Sequence, residues 1–227
     1  MVEQIINRYG ASFIIEKLAP FVTDLRQQRI LHVLSHRLHS IRIAVETPAD
    51  IHNALAIVRS AEVFGIMDVT LIQPENTAAG IRGITQGAFE WTHISYDNTL
   101  EHFIKKIKRQ PIKLAGACLT SDLPLDKLPV NEPLCLLFGN EHLGLSAKAK
   151  AACDYIFHIP MVGMTESLNL SVAAAISLYD ISKRKRQTLK QNGDLTDTQF
   201  KYYQACYYLK SVNPKMITAL LNGESIQ

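Results

Sequence analysis

The chain has 227 residues, 47% of them hydrophobic, which is enough to bury a full core in one domain with extensions. A formal net charge of only +3 hides an uneven distribution, with cations gathered before Ser40 and again over Lys183, Arg184, Lys185 and Arg186. No apolar run reaches the roughly 20 residues of a membrane span, and MVEQIINRYG lacks the basic start and apolar core of a signal peptide, so a cytoplasmic protein without membrane association is expected.

Up to Ser40 the pattern is helical. An apolar-periodic stretch around Ile14 to Leu18 is followed by Pro20, and Thr23 is a plausible N-cap for a helix from Asp24 to about His36. On that second helix Arg26, Arg29, Val33, His36 and Arg37 recur at three- and four-residue spacing, a mostly basic stripe that suits either a solvated face or an RNA backbone. His32 and His36 have the spacing of a metal pair, but no third ligand is near and no HExxH is present, so no metal is expected.

From Ser40 strands alternate with helices. IRIAVE reads as a strand, Ile51 to Phe64 as a helix, DVTLIQP as a strand and Asn98 to Arg109 as a helix. IKLAGACL, LCLLFG and YIFHIP read as strands, and Leu170 to Lys190 as a helix. Short apolar strands between helices imply a mainly parallel α/β sheet, whose ligands sit beyond the carboxyl ends of the strands. After Gln191 the chain turns polar at QNGD. A tyrosine-rich stretch follows, with Tyr202, Tyr203, Tyr207 and Tyr208 beside Lys201 and Lys210. It could stack on nucleobases or form an amphipathic tail helix that docks on the body or on a second subunit. Cys118, Cys135, Cys153 and Cys206 form no CxxC and are expected to be reduced thiols.

Three segments carry candidate chemistry. In IHNALAIVRSAEVFGI, Arg59 follows a run of mostly apolar residues, and a guanidinium there calls for an anion: Glu62, or a phosphate or carboxylate of a substrate. In LLFGNEHLGLS a buried strand ends at Gly139, and Asn140 and Glu141 follow at the ligand-binding edge of such a sheet, before Gly144 and a Ser146 cap. In IPMVGMTESLNLSVAAAI a strand-to-helix junction carries Ser167, Asn169 and a run of alanines, and small residues there let backbone approach a ligand or another chain segment. Neither GxGxxG nor GxxxxGK[ST] is present, which disfavours the usual dinucleotide and nucleoside-triphosphate sites.

In this order, the three segments resemble the signature motifs of the SpoU/TrmH family, S-adenosylmethionine (AdoMet)-dependent RNA ribose 2′-O-methyltransferases of the SPOUT class. The first is similar to N-x-x-A-x-x-R through Asn53, Ala56 and Arg59, and the second to L-F-G-x-E-x-x-G through Leu137, Phe138, Gly139, Glu141 and Gly144. The third is similar to I-P-M-x-G-x-x-x-S-L-N-x-S-x-A through Ile159, Pro160, Met161, Gly163, Ser167, Leu168, Asn169, Ser171 and Ala173. The match covers roughly residues 41–186. One departure is QGAFEW, where Ala88 stands in place of the serine the family commonly has before the aromatic.

The resemblance implies an α/β fold with a deep trefoil knot, a rare exception to unthreaded chains, flanked by helical extensions. It divides the chain into an RNA-contacting arm at 1–40, a methyltransferase domain at 41–190 and a tail at 191–227. It implies AdoMet held by Ala117, Leu137, Phe138, Gly139, Ile159, Met161 and Leu168. Arg59, Asn53, Glu141, Ser167 and Asn169 would be catalytic, with Arg59 gripping the phosphate beside the target rather than acting as a literal base, since arginine keeps its proton. Arg26, Arg29, Arg37, Lys183, Arg184 and Arg186 would contact RNA, and the chain would be a homodimer. Size and helical extensions resemble the branch that methylates guanosine 18 of tRNA more than the ribosomal branch. A ribosomal RNA, another tRNA position, or a silent RNA-binding or assembly role are the alternatives.

Overall fold

The computed structural model describes residues 2–73 and 87–222. In chain order the helices and strands are α1 (Val2–Tyr9), α2 (Ala11–Leu18), α3 (Asp24–Leu34), β1 (Leu38–Glu46), α4 (Ile51–Val63), β2 (Ile66–Ile72), α5 (Ala88–Trp91) and β3 (His93–Asp97). They continue with α6 (Leu100–Ile107), β4 (Lys113–Ala117), β5 (Leu134–Phe138), α7 (Ala147–Ala152), β6 (Tyr155–Phe157), α8 (Leu170–Leu189), α9 (Asp197–Ser211) and α10 (Pro214–Asn222). Two compact units result: residues 38–191, and a second unit made of 1–37 together with 192–227.

The larger unit is a six-stranded sheet of order β3-β2-β1-β5-β4-β6 in which every pairing is parallel. β5 is buried along its whole length because it has a strand on either side and helices on both faces, which is why LCLLF carries no polar residue. On one face α4 and α8 pack together through Ala54, Ala61 and Ala174, all fully buried in the cluster that holds Ile43, Val45, Leu136 and Phe138. Of the small residues opening α8, Ala174 is thus buried in this core. On the other face α6 and α7 cover Ala44, Cys135 and Leu137.

Strands and helices fall where alternation predicts them, with shifted ends: the expected helix over 98–109 runs over Leu100–Ile107, YIFHIP is a strand only over Tyr155–Phe157, and the strands expected from Ile41 and Asp68 begin at Leu38 and Ile66. Pro74 of the expected DVTLIQP strand and Gln86 of QGAFEW lie outside the described residues. The strand His93–Asp97 was not anticipated, because an edge strand with polar side chains lacks the apolar signature of its neighbours.

In the helical unit α9 packs against α1, α2 and α3. Tyr207 and Tyr208 are core residues, 3% and 1% exposed, and the Tyr208 hydroxyl donates to Gln27 Oε1 at 3.0 Å. Thr23 caps α3 by accepting from the Arg26 N–H. Thr196 and Gln199 form a capping box that starts α9. The QNGD turn lies on the backbone of residues 35–37: the Asp194 N–H donates to Arg37 O at 3.0 Å. A Cβ on Gly193 would fall 2.7 Å from that oxygen, so only glycine fits.

Candidate active site

The carboxyl ends of β4, β5 and β6 open onto a cavity of about 290 Å³ lined by residues 117–119, 138–142, 144, 157–159, 161, 167–170 and 173. One edge of it is closely packed main chain. Gly144 takes a left-handed φ of 66°, and Asn140 and Gly144 exchange main-chain hydrogen bonds of 3.1 and 2.8 Å that fold residues 140–144 into a tight turn. That turn runs so close to Gly139 that a Cβ there would lie 2.1 Å from the Gly144 carbonyl carbon. Phe138 and Phe157 meet edge to face at the cavity floor.

Asn53, Glu141 and Asn169, from three separate motifs, form one chain of hydrogen bonds. Asn53 Nδ2 donates to Glu141 Oε1 at 2.9 Å, and Asn169 Nδ2 donates to Asn53 Oδ1 at 3.0 Å. Glu141 also accepts from the Ala49 N–H at 2.6 Å and the Asp50 N–H at 3.4 Å. Asn169 caps α8 by accepting from the N–H groups of Ser171 and Val172. Burial pushes the Glu141 carboxyl up, but the donors from Ala49, Asn53 and Asp50 outweigh it, and its pKa lies below the ordinary value.

The 47–50 turn that supplies those N–H groups is strained. Thr47 has φ 42°, a left-handed conformation rare for a β-branched residue, and it precedes Pro48. Its carbonyl accepts from Asn140 Nδ2 at 2.8 Å and its N–H donates to Ile72 O at 3.1 Å. Strain held from both sides at a functional edge is the pattern of a pre-positioned site.

Of the residues expected at the cofactor, Ala117, Phe138, Gly139, Ile159, Met161 and Leu168 line the cavity, and so do Glu141, Ser167 and Asn169. Leu137 does not: it is fully buried in the core beneath α6, because alternate residues of a strand face opposite sides. Arg59 is exposed on α4, does not line the cavity, and makes no hydrogen bond or ion pair among the described residues; Glu62 is not its partner. The sequence pattern also gave no sign of Cys118 and His158, which line the cavity.

The expected RNA contacts divide sharply. Arg26, Arg29 and Lys183 are exposed. Arg37 leaves that set: it is 1% exposed and donates from Nη2 to Tyr207 Oη at 3.0 Å, because the helical unit closes over it. Arg184 donates to Asp180 and to the carbonyls of Leu125 and Leu128, and Arg186 donates to the carbonyl of Phe64 at the C-cap of α4. Both are half-buried.

The site suits AdoMet. Its apolar walls can take an adenine ring, and among the described residues no main-chain hydrogen bond engages residues 159–168, leaving peptide groups open to a ligand. Ala117, Gly139, Ile159 and Leu168 would present main chain to the cofactor. No group of three or more metal-ligating side chains occurs among the described residues, and no helix among them is long and apolar enough to cross a membrane.

Comparison with known proteins agrees with this chemistry. A tRNA (guanosine(18)-2′-O)-methyltransferase of Borreliella burgdorferi is 29% identical over 209 residues, covering 90% of this chain and 93% of the relative. The 23S rRNA (guanosine-2′-O-)-methyltransferase RlmB of Coxiella burnetii is 28% identical, covering 72% of this chain and 67% of the relative. The crystal structure of the A. aeolicus TrmH/SpoU tRNA modifying enzyme superposes with a TM-score of 0.74 at 26% identity, covering 84% of this chain and 98% of that one. Residues 40–179, nearly the whole sheet unit, match the model of the SpoU rRNA Methylase family. The chain therefore belongs to that family, the AdoMet-dependent RNA ribose 2′-O-methyltransferases.

Proposed function

We propose that this chain methylates the ribose 2′-oxygen of guanosine 18 in tRNA. The observation that carries the reading is the reach of the likeness to a tRNA guanosine-18 enzyme: it spans 90% of the chain and so extends into the helical unit, beyond the family domain that all such enzymes share. The ribosomal relative aligns over a smaller share and is the second reading. Mapping of ribose methylation on unmodified tRNA transcripts and on 23S rRNA, after incubation with AdoMet, tests it: label at guanosine 18 is expected, and label confined to ribosomal RNA sinks it.

AdoMet supplies an electrophilic methyl on a sulfonium. The chain's own residues have to align a 2′-hydroxyl with that methyl and stabilise the charge that grows on oxygen as its proton leaves. Arg59, exposed and unengaged among the described residues, grips the phosphate next to the target; a permanently charged planar fork suits a phosphodiester. Asn53, Glu141, Asn169 and Ser167 hold the rim on which the ribose rests. Of the expected RNA contacts, Arg26, Arg29 and Lys183 are exposed and would meet tRNA phosphates.

The active form is a homodimer on this reading. Val172, Ile176 and Tyr179 are exposed at i, i+4 and i+7 on α8, and Val63 is exposed on α4 one turn after Arg59. Such an apolar strip on a methyltransferase of this family suits a second copy of the same chain, and Arg59 beside it would face the shared site. The connection between β4 and β5 is bonded both to β6 and to α8, which supports the expected trefoil knot, with the chain drawn through that connection. A cytoplasmic location suits a tRNA-modifying enzyme.

A further inference from the structure

The far end of α8 carries two cations that turn inward. Arg184 donates from Nη1 to Leu128 O and from Nη2 to Leu125 O, both at 2.7 Å, while its Nε donates to Asp180 Oδ2 at 2.8 Å. Lys185 is 2% exposed, and its Nζ donates to the carbonyls of Val130, Asn131 and Glu132 at 2.9, 3.3 and 3.2 Å. An ammonium has three protons and a guanidinium a planar fork, so the two side chains together satisfy five carbonyls of a single connection, the one between β4 and β5.

The other edge of that connection is bonded to the cavity wall. The Cys118 N–H donates to Phe157 O at 2.8 Å, the His158 N–H to Leu123 O at 2.9 Å and the Leu125 N–H to His158 O at 2.8 Å. Ser121 Oγ donates to Ile156 O. Leu125 is shared by both sets: its N–H holds His158, which lines the cavity, and its carbonyl is held by Arg184. We infer that Arg184 and Lys185 are a latch on the β4–β5 connection that keeps the Cys118 and His158 wall of the cofactor cavity in its binding position. They are positioning residues for AdoMet and not RNA contacts, and the inference rests on the cofactor reading of that cavity. With the latch open the wall fluctuates, and the cofactor must order it on binding, which lowers apparent affinity without changing the transfer step.

The test measures AdoMet binding by calorimetry, steady-state kinetics, and tRNA binding at two salt concentrations for the unaltered chain, Arg184→Gln, Arg184→Lys, Lys185→Met and Lys183→Ala. Arg184→Gln is expected to raise the AdoMet Kd and KM about tenfold, with kcat at saturating AdoMet retained and tRNA affinity unchanged. Arg184→Lys recovers only part, because an ammonium cannot reproduce the planar fork that reaches Leu125, Leu128 and Asp180 together. Lys183→Ala should weaken tRNA alone. Weaker tRNA binding with a shallower salt dependence and intact AdoMet affinity in Arg184→Gln overturns the latch, and so does a lower Tm with an unchanged AdoMet KM. If Lys185→Met fails to fold, the half-buried Arg184 decides the matter. No AdoMet binding by the unaltered chain overturns the cofactor reading and the latch with it; equal binding by chain and variant overturns the latch alone.

Discussion

The helical unit and the sheet unit each bury cationic side chains, and the bonds of Arg37 in one differ in consequence from those of Arg184 and Lys185 in the other. In the helical unit Arg37 donates to the phenol of Tyr207, a contact between side chains that ties α9 to the segment after α3. In the sheet unit Arg184 and Lys185 donate to main-chain carbonyls, which fixes a backbone connection that regular structure leaves open. Both units also carry exposed cations, among them Arg26 and Arg29 on the helical unit and, on the sheet unit, Lys183 and the Arg59 of the helix that also carries Asn53. A charge buried against side chains holds elements together, one buried against carbonyls shapes a wall, and one left in solvent is available to a polyanion.

Substitutions can break this division, and Arg59→Lys should do so most severely. Turnover is expected to fall about a hundredfold, roughly 2.7 kcal/mol, while calorimetric AdoMet affinity stays within a factor of about two. Equal loss of both would make Arg59 a structural residue. Replacing Arg26 and Arg29 together by alanine should weaken tRNA binding about tenfold and reduce the salt slope by about one for each phosphate no longer neutralised, with AdoMet affinity untouched. Filter binding across a salt series reads this directly.

Glu141→Ala removes the acceptor for Asn53 and two backbone N–H groups, at a cost of about 1 kcal/mol in urea unfolding because water reaches the site. The pH dependence has a definite sign. The folded carboxyl titrates below its ordinary value of 4.5, so its contribution to stability is complete above that value and is lost as pH falls through the lower folded pKa. The variant should lack that acid-side decline. The smallest effect concerns the thiols. Burial pushes Cys135 and Cys153 up to about 12 and Cys206 up to about 11. Cys118 is also raised by burial, but bonds from Thr120 and the charge of Lys150 bring it below the ordinary thiol value. Cys118 should therefore alkylate first, and AdoMet should slow that reaction; mass spectrometry of partly labelled protein checks both.

Much of the sheet unit was legible because buried parallel strands read as unbroken apolar runs and their helices as periodic ones. LCLLF and IHNALAIVRSAEV need no partner to be recognised. The motif residues Asn53, Glu141 and Asn169 were legible as candidates, yet their mutual hydrogen bonds join positions as much as 116 residues apart, which no local pattern encodes. The same distance hid the fate of the basic residues. Arg37 meets Tyr207 across 170 residues, and Arg184 meets Leu125 across 59, so a run that looks like a solvated polycation becomes partly internal. The left-handed Thr47 escaped notice for a different reason, since tertiary bonds from Asn140 and to Ile72 override its local preference.

The contact of Gly139 with Gly144 is peptide against peptide, and no larger residue can enter without moving a main-chain segment. At that spot the cavity offers a visitor nothing that substitution could retune. Preference among sulfonium donors and their analogues must therefore be varied on the opposite bank, through side chains such as Leu119, Met161 and Leu168, while the glycine rim stays the same for all of them.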